Sequence, residues 1–121
     1  MGRESLEDAI QHDLAILAYE HSEAKNFGVI LHTDEGNLVE IIEKPETPPS
    51  NLIFTGSMVL DRRIFELIKP TPADHENWLT WYITELAQER PVRVVQQKHW
   101  CPVGRVEDIP RAELFLRTHL A

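Results

Sequence analysis

A chain of 121 residues, 42% hydrophobic and 26% charged, is long enough for one compact domain with its own core and too short for two. Its net charge of −8 works against polyanions at long range, so nucleic acid is not an expected partner. A membrane is not expected either, because no apolar run approaches the roughly 18 residues that a spanning helix needs.

The first residues, Met1-Gly2-Arg3-Glu4-Ser5, lack the apolar stretch of a secretory signal, and Leu6 stands where a myristoylation signal needs Ser or Thr. Ser5 to Gln11 reads as a short helix, with Ser5 as N-cap and Asp8 at the capping-box position. The run Leu14 to Tyr19 fits either a helix or a buried strand on its own period. Asn26 to Leu31 is a strand by its β-branched and aromatic content. Asp34-Glu35-Gly36-Asn37 turns the chain, with Gly36 supplying the positive φ, and Leu38 to Glu43 returns as the second strand of a hairpin. Lys44 to Asn51 holds three prolines and predicts a stiff, extended loop.

Leu52 to Leu60 is a strand interrupted by Gly56, and Asp61 caps a short helix from Arg62 to Ile68. From Glu76 to Arg90, apolar residues at Trp78, Leu79, Tyr82, Ile83, Leu86 and Ala87 mark an amphipathic helix. Val92 to Val95 is a short strand, Trp100 to Gly104 is irregular, and Glu107 to His119 is a final helix centred on Leu114, Phe115 and Leu116. The order hairpin, strand, helix, helix, strand, helix specifies one α/β domain over residues 1–121, with a mixed β-sheet and flanking helices.

The order of these motifs resembles the sugar-phosphate nucleotidyltransferases. The carriers are Phe27-Gly28-Val29, the hairpin, Glu43-Lys44-Pro45, Ser50-Asn51, Gly56 in its strand, Leu79-Thr80, and Trp100-Cys101-Pro102-Val103-Gly104 before a last helix. The resemblance makes Leu14 to Tyr19 a strand. It implies a partial, Rossmann-like fold without the N-terminal nucleotide-binding half, since the five glycines are scattered and form no phosphate loop. It also implies that Glu43 accepts hydrogen bonds from sugar hydroxyls, that Lys44 faces the sugar phosphate, and that the backbone at Gly28 and Gly56 approaches the sugar.

Where the family carries a metal-ligating Asp after Trp, this chain has Pro102, and where it carries an acid after Leu-Thr, Trp81 stands. A proline offers no side-chain oxygen to a cation. No catalysis by this chain alone, no metal and no cofactor are therefore expected. Two further expectations belong to a half-fold: an exposed sheet edge that pairs with a second copy, and Trp81 as a subunit contact. A partner chain supplying the missing half is the third reading.

Plainer readings stand beside these. Glu43-Lys44-Pro45 is also what a solvated strand end looks like. Trp78, Leu79 and Tyr82 share a helical face and suit core packing better than a sugar platform. Cys101, although flanked by Lys98 and His99, has no second catalytic partner and reads as structural. The single cysteine suits a reducing, cytoplasmic interior.

Overall fold

A computed structural model describes residues 3–60 and 78–119. The helix read at Arg62 to Ile68 falls outside them. Five strands form one mixed sheet: β1 (Ala15–Glu20), β2 (Gly28–His32), β3 (Leu38–Glu43), β4 (Leu52–Val59) and β5 (Arg93–Gln96). Their order is β3-β2-β4-β1-β5. Only β1 and β5 run parallel; β1–β4, β2–β3 and β2–β4 are antiparallel.

Helix α2 (Trp78–Glu89) covers one face of the sheet. Its Ile83 and Leu86 pack with Ile16, Ala18, Ile30, Leu38, Ile41 and Leu52 in the main core, and Leu79, Tyr82 and Ala87 join from its flanks. The i, i+3, i+4 spacing of those residues is what turns them to one side. On the other face, Ala15, Leu17 and Val95 meet Ala9 of α1 (Arg3–Ala9), while Val29 and Ile53 meet Tyr19, Phe27 and Trp100. Strand β1 is thus buried on both sides. Its apolar run has no alternation because neither face meets water.

Several element boundaries differ from the sequence reading, two of them at the start of an element in the first half of the chain. Ser5 lies inside α1, which begins at Arg3, so it is not the N-cap; an i, i+4 ion pair between Arg3 and Glu7 at 2.7 Å supports that first turn. Asn26 belongs to a 3-10 turn, Ala24–Asn26, so β2 starts only at Gly28.

The hairpin turn reaches across to β5. Leu38 N–H donates to Val92 O at 2.8 Å, Val94 N–H donates to Gly36 O at 2.9 Å, and the Arg93 guanidinium donates to Glu35 O. Gly36 has φ +87, a left-handed conformation that favours glycine.

Helix α3 (Asp108–His119) rests lightly on the body. It buries no residue, and Leu114 and Leu116 are 66% and 52% exposed. The apolar centre read from sequence faces outward, and half-buried Phe115 carries the contact, with its ring near His119 and His99.

Candidate functional site

One end of the sheet gathers most of the residues singled out from sequence. Gly28 opens β2 and stands opposite Glu43, the last residue of β3. The next residue, Lys44, donates its backbone N–H to Phe27 O at 3.0 Å and turns out of the ladder with φ +44. That left-handed conformation is unusual for a side chain with a Cβ. The Lys44 side chain is exposed and has no ion-pair partner among the described residues.

Helix α2 supplies the facing wall. Between it and β3 runs a groove of about 520 Å³, lined by Glu43 and Lys44 on one side and Thr80, Trp81, Thr84 and Glu85 on the other. Thr84 Oγ1 accepts the Ile41 N–H at 3.0 Å, so the helix caps part of the outer edge of β3. Thr80 is buried and Trp81 half-buried, with its ring edge-to-face on Tyr82 at 6.4 Å. Trp81 therefore sits in the wall of the groove that holds Glu43 and Lys44.

The two glycines named from sequence serve different ends. A Cβ on Gly28 would lie 3.0 Å from Ile41 Cγ2 and 3.3 Å from Glu43 Oε2, so its smallness lets Glu43 fold over the strand. A Cβ on Gly56 would meet nothing within 4 Å; glycine is needed there for φ +93. Gly56 is not part of the groove. Because Val29 pairs Ile53 antiparallel, β4 runs past the start of β2 and carries Gly56 beyond Gly28 at the same end of the sheet.

On the sheet face opposite α2, four rings lie together. His21 and Phe27 have centroids 4.8 Å apart, Phe27 and Trp100 5.5 Å, and Tyr19 and Trp100 5.8 Å. Nδ1 of His21 accepts the Glu23 N–H at 2.9 Å. Phe27 and Trp100 stand in recognisable motifs; Tyr19 and His21 carry no local signal and join through the fold.

The segment before α3 is unsuited to a cation. Pro102 brings no side-chain oxygen, and Cys101 Sγ lies 3.9 Å from Pro102 O. Of the two carboxylates that follow, Glu107 is exposed and Asp108 is already engaged: its Oδ2 accepts from Gly104 N–H at 3.0 Å and Arg105 N–H at 3.1 Å. Those two backbone donors, helped by Arg111 and Arg105, hold its pKa below the ordinary aspartate value. No group of three His, Cys, Asp or Glu suited to a metal occurs among the described residues. The residues present do not fit the metal that the resemblance implies at this segment.

A mixed sheet with one helix over the face that bears Glu43, and a strand end built for close approach, define a partial α/β domain of the nucleotidyltransferase fold. The chain belongs to the nucleotidyl transferase family, whose sequence model matches residues 3–119. It is 38% identical over 116 residues to the bifunctional protein GlmU of Methanocaldococcus jannaschii, covering 93% of this chain and 28% of that protein. It is 35% identical over 94 residues to a bifunctional sugar-1-phosphate nucleotidylyltransferase/acetyltransferase of Sulfurisphaera tokodaii, covering 75% and 23%. Among solved structures, a protein described as a glucose-1-phosphate thymidylyltransferase of Bacillus anthracis, in complex with sucrose, matches with TM-score 0.73 and 22% identity. That match covers 94% of this chain and 47% of the other, and shows the fold alone. The chain thus spans 23% to 28% of the length of these two curated relatives. No helix among the described residues is long and apolar enough to cross a membrane.

Proposed function

We propose that this chain is the sugar-phosphate-binding part of a nucleotidyltransferase domain and does not complete nucleotidyl transfer by itself. The observation that carries the reading is the Gly28–Glu43–Lys44 cluster at the mouth of the β3–α2 groove. A carboxylate held over a glycine offers acceptors to vicinal hydroxyls, and the adjacent ammonium is a compact counter-charge for a phosphate. Trp81 and Thr80 supply an apolar face and a polar one for a sugar ring. The transfer itself requires cationic clamping of a triphosphate, and Pro102 brings no side-chain oxygen where the resemblance expects a metal-ligating Asp.

The test is thermal stabilisation by sugar 1-phosphates and nucleotide sugars. A ligand at a hundred times its dissociation constant adds about 2.7 kcal/mol. A shift with one sugar 1-phosphate that disappears in Glu43→Gln is the expected result. No shift with any of them would overturn the reading.

A second reading is favoured by the sheet. Strand β4 has eight residues, and β2 pairs with it only at Val29–Ile53, so among the described residues its outer edge from Thr55 onward has no strand beside it. The nine residues from Leu52 to Leu60 carry no charge, the usual guard of an open edge. On this reading the chain is a module that pairs through β4 with a second copy, with Trp81 as a further contact, or with a separate chain completing the fold. Light scattering decides: a dimer broken by Ser57→Lys supports pairing between copies, and a monomer alone removes it.

A further inference from the structure

The β4 bulge that carries Gly56 is held by side chains that no motif announces. Between the pairs Ile16–Met58 and Ala18–Phe54, three residues of β4, Thr55, Gly56 and Ser57, stand opposite Leu17 alone. Such a bulge takes backbone donors out of step with the neighbouring strand. Here the Thr55 side chain fills in, with Oγ1 3.1 Å from Leu17 O. The same Oγ1 lies 2.7 Å from Oε1 of Gln97, and Gln97 in turn is anchored by its backbone N–H on Ala18 O at 2.7 Å.

Gln97 is 3% exposed, and its Nε2 is the buried side-chain nitrogen that lacks a partner among the described residues. A hydroxyl has one proton, so Thr55 cannot donate to both Leu17 O and Gln97 Oε1. A half-turn of the Gln97 amide exchanges two atoms of nearly equal size and resolves both difficulties. Nε2 then donates to Thr55 Oγ1, the Thr55 proton goes to Leu17 O, and the atom left over is a carbonyl oxygen, the cheaper one to leave unpaired.

We infer that Gln97 and Thr55 are positioning residues: a one-way hydrogen-bond chain, Gln97 Nε2 to Thr55 Oγ1 to Leu17 O, fixes the β4 bulge and with it the backbone that Gly56 presents at the site end of the sheet. The half-buried Thr55 hydroxyl has a partner on each side, and Gln97, 42 residues away in sequence, is one of them. The effect on ligand rests on the sugar-phosphate reading above; the effect on the bulge does not.

Two measurements on the 15N-labelled chain test it. In the parent, the Gln97 side-chain amide protons give a resolved pair that exchanges with solvent far more slowly than exposed Gln amides; exchange at the exposed rate would overturn the proposed orientation. Thr55→Val removes the hydroxyl at constant shape and brings microsecond-to-millisecond line broadening to the Gly56 and Ser57 amides, and Thr55→Ser restores parent behaviour. Binding of glucose 1-phosphate weakens by about fivefold in Thr55→Val and stays within about twofold in Thr55→Ser, as expected for lost positioning rather than lost contact. Sharp Gly56 and Ser57 signals in Thr55→Val would sink the clamp. A parent that binds neither glucose 1-phosphate nor any other sugar 1-phosphate or nucleotide sugar would sink the sugar-phosphate reading while leaving the two NMR outcomes to decide the clamp. If Thr55→Val does not fold, Gln97 exchange in the parent still decides it.

Discussion

Replacing Lys44 by glycine separates the role of the side chain from that of the backbone. Lys44 holds φ +44, a conformation that costs a residue with a Cβ about 1 to 2 kcal/mol and glycine almost nothing. Against that gain, glycine adds freedom to the unfolded chain worth about 0.5 to 1 kcal/mol. The one backbone bond at this position, Lys44 N–H to Phe27 O at 3.0 Å, survives in glycine. No ion pair among the described residues is lost, because the ammonium makes none. The net change in folding stability should therefore lie between zero and a gain of about 1.5 kcal/mol. Affinity behaves differently. A charge-assisted bond from the ammonium to a phosphate oxygen is worth about 1.5 to 3 kcal/mol, so Lys44→Gly should weaken sugar 1-phosphate binding about ten- to a hundredfold. Urea unfolding gives the first quantity and titration calorimetry the second. A variant that is as stable as the parent and binds as tightly refutes the assignment of Lys44 to the phosphate. A variant destabilised by more than about 2 kcal/mol refutes the view that its side chain makes no structural contact.

Three other outcomes follow from the same geometry. Gly28→Ala places a methyl 3.0 Å from Ile41 Cγ2 and 3.3 Å from Glu43 Oε2, so it should cost about 1 to 3 kcal/mol and displace the Glu43 carboxylate, measured as lower melting temperature and weaker sugar 1-phosphate binding together. Thr84→Val leaves the Ile41 N–H without its acceptor and should cost about 1 to 3 kcal/mol in urea unfolding. The third concerns acid. Asp108 has a pKa lowered by the Gly104 and Arg105 amides, so its contribution is present above the unfolded value, about 3.9, and disappears as pH falls through the lower folded value. Fraying at the start of α3, followed by the Gly104 and Arg105 amide shifts, should therefore set in only below about pH 4, and Asp108→Asn should show part of it at neutral pH.

How much of this can be read in the sequence depends on the range of the interaction. The α2 stripe is legible because one period places Leu79, Tyr82, Ile83 and Leu86 on a single core-facing side. The hairpin is legible because its turn depends on one glycine and its strands pair next to it. β1 is not legible by itself: buried on both faces, it loses the alternation that marks a strand, and only its place among the motifs identifies it. Thr84 goes unnoticed because a polar residue on a helix flank looks solvated; its bonding depends on β3, 43 residues away at Ile41. The centre of α3 misleads in the opposite sense, since Leu114 and Leu116 are apolar yet face out. Site residues behave the same way. Glu43 and Lys44 stand in a local motif, but the conformational reason for Gly56 and the clamp behind it exist only in three dimensions.

The charges around the groove constrain how a ligand could lie in it. Among the described residues, Glu40, Glu43 and Glu85 line it against the one ammonium of Lys44, in a chain that already carries a net −8. A phosphate dianion gains nothing from that field along most of the groove and is attracted only where Lys44 stands, at the strand end. Hydroxyl groups are the opposite case, since a carboxylate accepts hydrogen bonds and does not repel a neutral donor. On the proposed reading, the sugar ring therefore points its hydroxyls into the groove toward Glu43 and Thr80, and its phosphate points out of it past Lys44. That orientation carries its own test in salt. Binding that depends on one ammonium against a surrounding negative field should weaken as ionic strength screens the Lys44 attraction, by far less than a polycationic phosphate site would. A steep loss of affinity with salt would mean that other cations hold the phosphate and that Lys44 is not its main partner.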